Sequence, residues 1–112
     1  MKTLIRGGTV VTALGETHAD VLIVGETVVQ VGPNIEAPMA TKIIEAGGAY
    51  VMPGGIYTHT HMELPFMGTV ASEDFFTGTS AAAAGGTTMI IDFAIPSPNE
   101  RLLDAYKKWR GW

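Results

Sequence analysis

At Pro53 the sequence changes pattern, and no single repeating element can account for both sides of that point. Before it, short β-branched runs alternate with glycine and polar turns: Thr3–Arg6, Thr9–Thr12, Val21–Val24, Thr27–Val31 and Ile43–Glu45. The pairs Gly7-Gly8 and Gly47-Gly48, with Gly15, Gly25 and Gly32, punctuate them at hairpin intervals. Residues 1–52 therefore predict a β-sandwich portion, a small antiparallel sheet whose edge needs a partner.

From residue 53 to 112 the pattern becomes strand, helix, strand, helix. Gly55 to His61 alternates as a strand after a Pro-Gly-Gly turn, and a loop follows from Met62 to Ala71. Ser72 is the expected N-cap of a first helix, with Glu73 and Asp74 in its first turn, where the helix dipole favours acids. Phe75, Phe76, Thr79, Ala82 and Ala83 form its expected packing face, and Gly85-Gly86 its end. Thr87 to Ile95 is nearly continuous in apolar residues, as in a strand covered on both faces. Ser97-Pro98-Asn99-Glu100 reads as a capping box with proline at the first helical position. Leu102, Leu103, Tyr106 and Trp109 then recur at helical spacing, and the helix is expected to run into Trp112 without a stop signal. The fold class is thus α/β: a β-sandwich portion followed by the first βαβα of a (β/α)8 barrel, incomplete because a closed barrel needs roughly 250 residues.

The 112 residues are 46% hydrophobic and 16% charged, which fits a folded globular chain and excludes disorder. A formal net charge of −4, with only Lys107, Lys108 and Arg110 close together, gives no surface for nucleic acid or anionic membrane. The absence of cysteine removes disulfides and thiolate metal sites from consideration. Arg6 and two glycines interrupt the amino-terminal apolar run, so neither a signal peptide nor a membrane span is expected, and the default location is cytoplasmic.

His59 and His61 are the residues whose spacing carries chemistry. Side chains at i and i+2 of a strand share a face, so both imidazoles converge on one volume. Two neutral imidazoles make half of a tetrahedral donor set for a zinc-like metal. Taken alone, the spacing is better read as chance or a solvated strand edge than as a ligand pair. Its position at the C-terminal end of the first strand of a β/α alternation, where barrel active sites are built, favours the ligand pair. Gly7-Gly8 and Gly85-Gly86 lack the context of a nucleotide-binding loop and read as turns. His18 reads as a solvated surface histidine. Trp109 and Trp112 read as helix packing, and Glu63 as facing away from the pair.

The run Val51-Met52-Pro53-Gly54-Gly55-Ile56, continuing through His59-Thr60-His61-Met62-Glu63-Leu64-Pro65-Phe66-Met67-Gly68-Thr69, resembles the first-strand signature of the hydantoinase/dihydropyrimidinase branch of the amidohydrolase superfamily. Gly85 to Phe93, Lys108 to Trp112 and Thr3 to Val11 are similar to its second strand, the following helix and its amino-terminal strands. The resemblance spans this chain and about the first quarter of a family member. It implies a β-sandwich joined to a distorted (β/α)8 barrel, holding two divalent metals, usually zinc. A bridging hydroxide would attack the amide carbon of a cyclic imide or ureide. His59 and His61 match the two histidines that bind the more buried metal, while a bridging carboxylated lysine, two further histidines and an aspartate belong to later strands. No catalytic residue beyond the metal pair is identifiable in this segment.

Met62, Leu64 and Phe66 match the segment that shapes the substrate's exocyclic pocket, although packing at a barrel mouth explains each of them equally well. Tyr57 stands where members of this branch generally carry aspartate. By parity it shares the face of the two histidines, where a carboxylate would support the ligand shell and a phenol would crowd it. Asp92 is a further candidate for support behind the ligands, or a structural loop-capping carboxylate. The resemblance suggests homotetramers for complete members. The competing readings are a non-catalytic truncated remnant and a free-standing β-rich binding or assembly module.

Overall fold

The computed structural model describes residues 1–39 and 41–112, which divide into two compact units, Met1–Pro53 and Gly54–Trp112. In the first unit β1 (Lys2–Thr12), β2 (Gly15–Val24), β3 (Thr27–Gly32), β4 (Thr41–Glu45) and β5 (Tyr50–Val51) form one five-stranded sheet in the order β3-β2-β1-β4, with β5 also on β1. The expected all-antiparallel arrangement is corrected: β1–β2 and β2–β3 are antiparallel, but β4 and β5 both run parallel to β1. The link between β4 and β5, which continue in the same direction along β1, stays bonded to it, because Ala46 N–H donates to Arg6 O and Gly48 N–H to Gly7 O, at 2.8 and 2.9 Å.

Gly7-Gly8 does not divide two strands, as its composition suggested. It is a bulge inside a single eleven-residue strand, with the β1–β2 register shifting between Ile5 and Gly8. Gly7 takes a φ of +68°, the left-handed conformation that a bulge needs and glycine adopts without steric cost. The extra residue changes the phase of the alternation. Leu4 packs with Leu22 and Ile35 on one face, whereas Val10, an even-numbered residue, shares the opposite face with odd-numbered Ile5, Ala19 and Val21. Asp20 fastens the bulge: its carboxylate accepts the N–H groups of Gly7 at 2.8 Å and Ile35 at 3.0 Å. Among the described residues this unit contains one sheet, not two packed layers.

In the second unit β6 (Gly55–Thr60) and β9 (Thr87–Asp92) are parallel neighbours, linked by α1 (Phe75–Ala84). Between β6 and α1 lies a minor hairpin of β7 (Pro65–Phe66) and β8 (Thr69–Val70). Its central residues Met67 and Gly68 both have positive φ, as a type I′ turn requires. α1 is capped by Asp74, not Ser72. Asp74 and Thr77 form a reciprocal capping box, and the Ser72 hydroxyl instead donates to the Glu73 carboxylate. Gly85 is the C-cap and Gly86 takes a φ of +86°, so the glycine pair ends the helix where its composition places the stop.

The packing face of α1 also differs from expectation. Gly78 is its buried residue, while Phe76, Thr79 and Ala83 are exposed along an open groove beside β9. Gly78 admits the side chain of Met62, whose sulfur occupies the position that a Cβ would take. α2 (Leu102–Trp109) begins four residues after Pro98. Asn99 has a φ of +68°, incompatible with a helix. Ser97 and Glu100 close a turn there, with Glu100 bonding back to the Ser97 N–H at 2.8 Å. α2 also stops short of the carboxyl terminus: Arg110 is its C-cap, and the Trp112 ring meets Trp109 at 4.5 Å. Ala105 and Trp109 are its buried residues, whereas Leu102, Leu103 and Tyr106 are exposed. β9 ends at Asp92, short of Ile95, and Met89, Ile91, Phe93 and Ile95 remain exposed, so neither strand is covered on both faces. No helix among the described residues is long and apolar enough to cross a membrane.

Candidate metal centre

The two imidazoles meet at the C-terminal end of β6. His59 lies within the strand and His61 one residue beyond its last position. Their Nε2 atoms are 3.0 Å apart and their rings form an edge-on pair with centroids at 4.9 Å. Two nitrogens held at about 2.05 Å from one tetrahedral ion are roughly 3.3 Å apart. The observed separation lies within a few tenths of an ångström of that value, so the pair fits as two donors to one metal without rearrangement of the strand. Neutral imidazoles at this distance can also share a single N–H···N bond, in which one Nε2 donates its hydrogen and the other accepts through its lone pair.

Phe93, the residue after β9, stacks on both rings, with centroids 4.5 Å from His59 and 5.6 Å from His61. Sequence reasoning did not single it out. What brings it there is the parallel register, which places residue 92 beside residue 60 and leaves no mark in the periodicity of either strand.

Asp92 reaches across that register. Its Oδ1 accepts the Thr60 hydroxyl at 2.9 Å and the Met62 N–H at 3.1 Å. Thr60 Oγ1 also lies 3.3 Å from Ile91 O. Oδ2 of Asp92 is buried and has no hydrogen-bond partner among the described residues.

Tyr57, His59 and His61 contribute to one open concavity of about 420 Å³, together with Met62 and Glu73. Tyr57 is 58% exposed. The three pocket candidates are not brought together as a wall. Met62 is buried against Gly78, Leu64 is half-buried, and Phe66 stands exposed in β7. Glu63 has a φ of +52°, and its N–H donates to Glu73 O at 3.0 Å. His18 is exposed in β2 of the other unit. Among the described residues no cluster of three or more His, Cys, Asp or Glu side chains surrounds a possible metal position.

No protein-family profile matches the chain. Over its full length, however, it matches the amino-terminal region of the hydantoinase/dihydropyrimidinase branch of the amidohydrolases. It is 50% identical over 112 residues to dihydropyrimidinase 2 of Caenorhabditis briggsae, covering 100% of this chain and 22% of that protein. It is 51% identical to D-hydantoinase of Streptomyces coelicolor, covering 96% of this chain and 24% of the relative. The crystal structure of dihydropyrimidinase from Brevibacillus agri NCHU1002 superimposes with a TM-score of 0.92 at 52% identity, over 99% of this chain and 24% of that one. The chain thus spans less than a quarter of the length of these relatives.

Proposed function

We propose that this chain contributes the first metal-ligand pair of a cyclic amide hydrolase acting on hydantoins or dihydropyrimidines. The 3.0 Å approach of His59 and His61 Nε2 carries this reading, and the names of relatives about 50% identical throughout the chain support it. In such a site a bound divalent metal, zinc by the chemistry of two imidazole donors, lowers the pKa of its water towards 7 and polarises the substrate carbonyl. His59 and His61 would hold the ion through their Nε2 atoms, with the Phe93 ring packed against both imidazoles. Met62, Leu64 and Phe66 belong to the loop that would face the substrate's exocyclic group. β6 and β9 are proposed as the first two strands of a (β/α)8 barrel, and the sheet of residues 1–52 as part of a β-sandwich. A cytoplasmic location and a homotetrameric assembly are part of the same proposal.

Two donors do not complete a tetrahedral set. The 112-residue chain is accordingly proposed to bind metal without turning over substrate. Titration with Zn²⁺ or Co²⁺, beside hydrolysis assays on dihydrouracil and hydantoin, tests both statements. Saturable binding of one ion without turnover is the expected result. Failure of the histidine pair to bind any divalent ion would remove the metal reading.

A further inference from the structure

His61 is held in an unusual way for a candidate ligand. It lies beyond the last residue of β6, and the β6–β9 ladder changes register between Tyr57 and Thr60, so regular backbone pairing does not fix the segment that carries both histidines. A single carboxylate takes over that task. Asp92 Oδ1 accepts one bond from the residue before His61, the Thr60 hydroxyl at 2.9 Å, and one from the residue after it, the Met62 N–H at 3.1 Å. Thr60 is 5% exposed and Met62 9% exposed, so neither anchor competes with bulk water. A hydrogen bond to a charged acceptor in such surroundings is stronger than its neutral counterpart. Asp92 is also the immediate neighbour of Phe93, whose ring rests on both imidazoles.

We propose that Asp92 is the positioning residue of the histidine pair: by gripping Thr60 and Met62 with one oxygen, it sets the backbone of His61 and hence the gap between the two Nε2 atoms. This inference rests on His59 and His61 being metal ligands, and it deepens that reading by naming what holds them at ligand spacing. Asp92 touches neither imidazole in a hydrogen bond, so its contribution passes through the main chain on both sides of His61. Supports of this kind behind metal ligands typically change affinity by about 10- to 100-fold.

The test uses the full 112-residue chain and three variants, Asp92→Ala, Asp92→Asn and Thr60→Val. Co²⁺ is the probe, followed by its visible absorption, and the His59 and His61 ring resonances are followed by NMR in the metal-free chain. Asp92→Ala is expected to weaken Co²⁺ binding by at least tenfold and to shift the ring resonances of His61 while leaving those of His18 unchanged. Asp92→Asn keeps an accepting oxygen at the same place and is expected to retain most of the affinity. Thr60→Val removes one of the two anchors and is expected to give a smaller loss; if Asp92→Ala does not fold, this variant decides. Unchanged Co²⁺ affinity and unchanged His61 resonances in both Asp92→Ala and Thr60→Val would overturn the proposal, as would an Asp92→Asn loss equal to that of Asp92→Ala. If the parent chain binds no Co²⁺, the ligand reading fails by itself. The NMR comparison then still decides whether Asp92 positions His61.

Discussion

Met62 places its sulfur where Gly78 has no side chain, joining the segment just after the histidine pair to the middle of α1. The missing Cβ is what allows this contact. In an unobstructed helix interior, Gly→Ala gains about 1 kcal/mol of helix propensity. Here the added methyl would coincide with the Met62 sulfur, and overpacking costs about 1–3 kcal/mol. Gly78→Ala should therefore destabilise the unit, reversing the sign that propensity alone gives. Met62→Ala in the same chain should recover part of the loss. Urea denaturation of the two single variants and the double variant measures the coupling, which should exceed about 0.5 kcal/mol for residues in contact.

The histidine pair makes a sharper prediction about position. His59→Ala and His61→Ala should each lower Co²⁺ affinity at least tenfold, about 1.4 kcal/mol or more. His18→Ala should leave it unchanged, because His18 lies exposed on β2 in the other unit. Equal losses for all three variants in a Co²⁺ titration would point to non-specific binding.

Asp20 ties the stability of the first unit to pH. The backbone N–H of Gly7, and after it that of Ile35, hold its carboxyl below the ordinary value of 3.8. The folded form therefore binds this proton less readily than the unfolded chain. The stabilisation is present above the unfolded pKa and is lost as pH falls through the lower folded value. Asp74 responds in the same direction at the start of α1, through its bonds to Thr77. Asp20→Asn should be less stable than the parent near neutral pH and should show a flatter acid limb. Thermal melts followed by circular dichroism across the acid range would show whether the two curves converge, as expected.

Tyr57 shares a concavity with His59 and His61, and its ring is more exposed than covered. A carboxylate in its place would add negative charge beside a bound cation. Tyr57→Asp is expected to bind Zn²⁺ more tightly than the parent by several-fold, read by competition against a chromophoric chelator. Equal affinities would leave Tyr57 with no part in the site.

What was legible in the sequence followed from short-range periodicity. The alternation from Gly55 to His61 gave the strand and the convergence of two imidazoles, and Gly85-Gly86 gave the end of α1. Errors arose where two local signals competed. Ser72 and Asp74 are both good caps, and the Ser72 hydroxyl is committed to Glu73, leaving Asp74 to face the helix. Ser97 to Glu100 has the composition of a capping box, yet a left-handed Asn99 makes it a free-standing turn. Long-range pairing was illegible: nothing local in Thr41–Glu45 signals that it joins β1 in parallel. The contacts of Phe93 and Asp92 with the ligand segment depend on that kind of cross-strand register, so periodicity within one strand could not show them.

The added residue in β1 leaves the first unit dependent on one backbone conformation, the bulge at Gly7. If Gly7 were instead taken into regular pairing, the alternation would count it as a full residue, and the strand beyond it would rotate half a turn about its axis. Val10 would then be carried to the side now held by Leu4, and Thr9 and Val11 would turn towards Ala19 and Val21. One glycine thus acts as a spacer that keeps two differently phased stretches of apolar sequence facing the neighbours they fit.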